Sequence, residues 1–229
     1  MVRMTLGFHS GPEGAAWQES QVQEAVIAGW TGRDATAVEK HIRELEELGV
    51  KRPATTPIFY RVAAARLMTS DAIEVLGTAS SGEVEFVLYQ TGGRLWVGVG
   101  SDHTDREAET LGVSLSKQMC DKPIAPEVWA FEDVAGHWDR LILRSFIFEG
   151  GVRVLYQEGA VTAMREPSDL ITRHSQSAWL GEDTLMFCGT LAAKGGVRPA
   201  KRFEFELEDP VRGRKIAHGY DIISLPVLG

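Results

Sequence analysis

The sequence predicts an α+β fold in which β-structure dominates. Short apolar runs with period-two alternation recur along the chain, as at residues 84–89, 95–99, 141–149 and 152–158, and Gly-Gly pairs punctuate them. Helical periodicity is confined to a few short stretches. Few strand–helix–strand units are visible, so a doubly wound parallel sheet is not expected.

In chain order, residues 2–30 read as short strands and turns broken by Gly11-Pro12, a small N-terminal β annex (1–30) beside a main domain (31–229). Thr31 or Asp34 can cap a helix running to about Leu48, with Gly49 as its stop. Its apolar stripe is Val38, Ile42, Leu45 and Leu48. His41 borders that stripe, and Glu44 follows on the neighbouring surface. A carboxylate beside an imidazole fixes its tautomer and raises its basicity, the partnership a general base needs. Residues 51–62 read as a Pro-punctuated loop entering a strand, and 72–77 as a further short strand.

The 80–107 stretch is the most informative. Its two alternating runs meet at Gly92-Gly93, the signature of a β-hairpin. A turn there sets Thr91 opposite Arg94, Glu85 opposite Gly100 and Glu83 opposite Asp102. Period-two alternation then puts Glu83, Glu85 and Asp102 on one face at the open end. Like charges across a strand pair are destabilising. Three converging carboxylates therefore call for a counter-charge, and a hard divalent cation with oxygen ligands fits them best.

Beyond Asp102, residues 114–129 read as a loop carrying Lys117 and Lys122, cations available to an anionic substrate. Residues 141–149 and 152–158 form a second hairpin about Gly150-Gly151. Pro167 opens a short helix through Thr172. Residues 184–188 lead as a strand into Gly189-Thr190, where backbone N–H groups and a hydroxyl are exposed. Residues 202–207 and 222–225 read as further strands.

Bulk properties exclude several classes. The 229 residues carry a net charge of −8 without a Lys/Arg run, which argues against nucleic-acid or anionic-membrane partners. No apolar segment approaches the length of a membrane span, and the N-terminus lacks a signal-peptide stretch. Cys120 and Cys188 have no metal-ligand spacing with one another or with His9, His137, His174 and His218, so neither zinc nor a disulfide framework is expected. Neither a Gly-rich phosphate loop nor a Gly-x-Ser-x-Gly elbow occurs. A cytoplasmic protein is expected.

The order of these pieces resembles the fumarylacetoacetate hydrolase superfamily over about residues 30–225. The matching residues are His41-Ile42-Arg43-Glu44 for its His-x-x-Glu helix and Pro57-Ile58-Phe59-Tyr60-Arg61 for its Pro-containing strand ending Phe-x-Lys. Glu83-Val84-Glu85 matches its Glu-x-Glu strand, and Ser101 to Arg106 its Asn-Asp-x-x-x-Arg turn. Lys117 matches a Lys before a Pro-rich loop, and Glu182-Asp183 with Gly189-Thr190 a Gly-Asp…Gly-Thr strand. More narrowly, the chain resembles an uncharacterised bacterial branch. It departs from the pattern at Arg61 for Lys, Ser101 for Asn, Glu109 near a usual Gln, and the tight Gly92-Gly93 turn in place of a helical insert.

The resemblance implies a mixed β-sandwich roll with a few short helices, commonly homodimeric. Glu83, Glu85 and Asp102 would bind Mg²⁺, or Mn²⁺ or Ca²⁺. His41, oriented by Glu44, would activate water. Lys117, Gly189 and Thr190 would hold a small carboxylate substrate, with Arg106 either touching substrate or supporting the carboxylates. The implied reaction is hydrolysis of a C–C bond in a β-dicarbonyl or 2-oxo acid of acylpyruvate type, through an enolate the metal stabilises, as in aromatic or carboxylic acid catabolism. Hydration, decarboxylation and isomerisation share that chemistry. A non-catalytic metal-binding or structural module is the alternative from another class, and the His41/Glu44 pair argues against it.

Overall fold

The structure is a computed structural model that describes residues 1–11, 14–47 and 52–228; the side chains of His41, Glu44, Leu45 and Glu47 also lie outside the described residues. The chain begins with β1 (Val2–His9), β2 (Ala16–Val22), β3 (Glu24–Gly29), α1 (Ala35–Glu47) and β4 (Ile58–Val62). Four short or medium strands follow, β5 (Leu67–Met68), β6 (Ala72–Leu76), β7 (Ser80–Ser81) and β8 (Val84–Thr91), then β9 (Arg94–Ser101) and β10 (Thr104–Asp105). Next come α2 (Arg106–Leu111), α3 (Val113–Met119), β11 (Lys122–Pro123), β12 (Glu127–Ala130) and α4 (Glu132–Ala135). The last third holds β13 (Ile142–Glu149), β14 (Val152–Ala160), α5 (Pro167–Ser175), β15 (Thr184–Thr190), β16 (Arg202–Asp209) and β17 (Arg214–Leu225).

Two sheets dominate, so the β-rich α+β class holds. One has eight strands in the order β2-β1-β12-β9-β8-β15-β3-β4, and the other has five in the order β14-β13-β16-β17-β6. Residues 1–30, set apart in the sequence as an annex, supply three strands of the larger sheet. There β1 runs parallel to β12 and β3 runs parallel to β15, which joins them to the rest as one unit.

The hairpin forms in the register expected, with Thr91 opposite Arg94, Glu85 opposite Gly100 and Val84 opposite Ser101. Gly92 and Gly93 have φ of 61° and 70°, the left-handed pair a two-residue turn of this hand requires. Alternation along β8 divides two cores. Val84, Phe86 and Leu88 pack between the sheets with Leu143, Ile147, Phe203, Phe205, Leu207 and Tyr220. Val87 and Tyr89 face the other way, among Leu6, Phe8, Ile27, Leu185 and Phe187. Each such side chain contributes roughly 1.5–3 kcal/mol on burial, so both faces of the central hairpin are strongly specified.

The 114–129 segment differs from the loop expected, because its start belongs to α3, and α2 precedes it unread. At seven and six residues, both helices are too short to display a helical period in sequence. The Asp105 carboxylate accepts the Ala108 N–H at 2.8 Å and starts α2. At α1 the cap is Asp34, whose Oδ1 accepts from the N–H groups of Thr36 and Ala37. Residues 48–51, where the stop at Gly49 was expected, lie outside the described residues. The helix begun by Pro167 runs past Thr172 to Ser175, and the strand expected at 222–225 starts at Arg214.

Candidate metal centre

The open end of the hairpin gathers the three carboxylates. Ligand oxygens of Glu83, Glu85 and Asp102 all lie within 4.8 Å of one another. The strands close on each other there through the Asp102 N–H, which donates to the Glu83 carbonyl at 3.0 Å. Glu85 and Asp102 are buried, and Glu83 keeps some exposure.

Each carboxylate has its own support. For Glu83 it is Arg106, whose Nη2 donates to Oε1 at 3.0 Å while Nη1 holds Glu109 and Nε holds the Ser81 hydroxyl. Arg106 thus pairs with two carboxylates and a hydroxyl at once. For Glu85 the support is the Gly189 N–H, donating to Oε2 at 2.7 Å. Burial raises the Glu85 carboxyl well above its ordinary pKa, and the neighbouring Asp102 and Glu83 charges push it further. Asp102 sits between two ammonium groups. Lys117 Nζ donates to its Oδ2, and Lys122 Nζ lies 3.3 Å from Oδ1. Burial alone would raise the Asp102 carboxyl, but these lysines outweigh it and hold it below its ordinary value. Lys117 is itself raised despite burial, because all three carboxylates favour its charged form.

Sequence reasoning missed Lys122, which it read as a loop cation. The side chain is fully buried and donates to the His103 carbonyl at 2.5 Å, a placement with no signal in the sequence. Tyr60 was missed as well, a β4 residue whose ring lies 5.9 Å from Lys117 Nζ. Of the residues expected to hold substrate, Lys117 is beside the carboxylates. The Gly189 N–H is engaged by Glu85, and the Thr190 hydroxyl donates to the Val84 carbonyl and accepts from Gln157 Nε2. Both therefore brace the centre in this state. Arg61 is spent on the carbonyls of Gln23, Ala25 and Val62. His41 and Glu44 lie on α1, and their side chains are outside the described residues.

A family model described as a protein of unknown function, DUF2848, matches residues 28–220. The chain belongs to that family. A search of curated protein sequences gave no match. Among solved structures, Cg1458 with inhibitor aligns with a TM-score of 0.65 at 14% identity, covering 97% of this chain and 90% of that one. A yeast fumarylacetoacetate hydrolase family protein, ynq8, aligns with a TM-score of 0.61 at 14% identity, covering 90% and 95%. A 2-keto-3-deoxy-D-arabinonate dehydratase complexed with magnesium and 2,5-dioxopentanoate aligns with a TM-score of 0.63 at 15% identity, covering 93% and 78%. The fold is therefore that of the fumarylacetoacetate hydrolase superfamily, and the DUF2848 chain shares it nearly end to end.

Proposed function

We propose that this DUF2848 protein is a metal-dependent enzyme acting on a small 2-oxo acid, and that it hydrolyses a C–C bond in an acylpyruvate-like compound. The convergence of Glu83, Glu85 and Asp102 within 4.8 Å carries the reading. The donor set is all oxygen, which suits Mg²⁺ first, then Mn²⁺ or Ca²⁺. Glu83 and Asp102 each pair with a cation while Glu85 accepts only from the Gly189 N–H, so the cluster retains a place for positive charge beside Glu85. When bound, such an ion supplies Lewis-acid polarisation of the substrate oxygens.

The chain's own residues then have distinct tasks. Arg106 and the Gly189 N–H hold Glu83 and Glu85 in place. Lys117, beside Asp102 and less deeply buried than Lys122, is assigned to the substrate carboxylate. His41, with Glu44 three residues on in sequence, is assigned to take the proton of the attacking water. Gly189 and Thr190 are reassigned from substrate contact to bracing the centre. Dehydration of a 2-oxo acid is the second reading, favoured by the likeness in fold to a dehydratase whose structure holds magnesium and 2,5-dioxopentanoate.

A panel of acylpyruvates, 2-oxo acids and hydroxydienoates, assayed with added Mg²⁺ or Mn²⁺, tests the proposal. Cleavage of an acylpyruvate that is lost in His41→Ala supports hydrolysis. Water loss from a hydroxylated 2-oxo acid, with no cleavage, selects the second reading. A protein that takes up no divalent ion overturns both.

A further inference from the structure

Asp102 is flanked in the chain by Ser101 and His103, and one side chain from the opposite sheet touches both neighbours. The Tyr220 hydroxyl lies 2.8 Å from Ser101 Oγ and 2.8 Å from His103 Nδ1. Ser101 Oγ in turn accepts from the Glu83 N–H at 3.3 Å. The hydroxyl of one residue on β17 is thus the hub of a chain of polar contacts reaching both strand ends that present ligands. Tyr220, Ser101 and His103 are fully buried, and the His103 ring packs edge-on against Tyr220 with centroids 5.6 Å apart. Among the described residues His103 Nε2 has no hydrogen-bond partner, so the imidazole's one side-chain hydrogen bond among them is that of Nδ1 with Tyr220. All three side chains are buried, so losing one member leaves the others as unpaired buried polar groups, which is costly.

We propose that Tyr220 is a positioning residue for the metal centre: its hydroxyl pins the open end of the hairpin so that Glu83 and Asp102 meet the cation in a fixed arrangement. The inference rests on the metal-dependent reading above. Tyr220 acts through backbone position and not through charge, because it touches none of the three carboxylates. The Lys122 ammonium grips the same turn from the other side, at the His103 carbonyl. Between them, the Ser101-Asp102-His103 segment has little freedom to move.

The test is Mn²⁺ titration of EDTA-stripped protein, with free Mn²⁺ followed by electron paramagnetic resonance and the metal-free melting temperature recorded beside it. Partners that orient metal ligands typically change affinity by about 10–100-fold, and Tyr220→Phe is expected to weaken Mn²⁺ binding about tenfold while remaining folded. Ser101→Ala, which removes one arm of the hub, is expected to weaken it by a smaller factor and carries the test if Tyr220→Phe does not fold. A purely structural tyrosine would lower the melting temperature and leave the dissociation constant of the folded protein unchanged. Wild-type affinity in the folded variants therefore overturns the inference alone. A wild-type protein that binds no Mn²⁺ overturns the metal-dependent reading on which it rests.

Discussion

Glu85 has the harshest surroundings of the three carboxylates. It is buried and, among the described residues, has no cation paired with it and accepts a single backbone N–H. Removing its charge should abolish the centre without harming the fold. Glu85→Gln keeps the shape and can still accept from Gly189, so its metal-free melting temperature is expected not to fall. Its Mn²⁺ uptake is expected to drop below detection in the same titration; uptake at wild-type strength would remove Glu85 from the ligand set. Gly189 itself admits no side chain. Its φ is 99°, and an added Cβ would lie 1.7 Å from Thr31 Oγ1. Gly189→Ala must move Thr31 and strain the backbone, and is expected to cost about 3 kcal/mol or more, read as a lowered denaturation midpoint. The sequence marked Gly189 for its exposed N–H. The structure adds that its missing side chain is equally required.

At the level of elements, legibility followed length and pattern. The β8/β9 hairpin was legible to the residue because alternation and a Gly-Gly turn fix register jointly, and both of its faces are buried. The last third of β17, residues 222–225, was legible, but residues 214–221, carrying Arg214, Lys215, His218 and Gly219, lacked a strand pattern. That gap concealed Tyr220. Helices α2 and α3 were illegible for want of length, and with them the burial of Lys117. Helix α1 was clear from its stripe and cap. Its cap supports a further expectation, because the Asp34 carboxylate accepts the first-turn N–H groups of Thr36 and Ala37. Asp34→Ala is expected to cost about 1 kcal/mol, seen as faster amide exchange across residues 35–47. Because α1 bears His41 and not a metal ligand, the same variant should bind Mn²⁺ as wild type does. A parallel loss of affinity would tie α1 to the centre itself.

Across the whole molecule, the candidate centre lies where three separate parts of the chain meet. The hairpin presents the carboxylates, the α2–α3 segment and β11 bring Arg106, Lys117 and Lys122, and β17 of the second sheet reaches in through Tyr220. The sequence revealed the first part because its geometry is local. Arg106 and Lys117 were named through the family resemblance, whereas the placement of Lys122 and Tyr220 depends on long-range packing that no short pattern records. This construction has a thermodynamic consequence. A cation that binds only where all three parts are assembled binds the native state and not the unfolded chain, so it must stabilise the entire fold. At a free concentration about a hundredfold above its dissociation constant the gain is about 2.7 kcal/mol. Stripping the protein with EDTA should therefore lower the melting temperature by several degrees, and added Mg²⁺ or Mn²⁺ should restore it. The same titration on Glu85→Gln should give no shift, because the assembled parts then lack the ligand set that favours the ion. A metal-dependent rise of equal size in that variant would place the stabilising ion somewhere other than the hairpin.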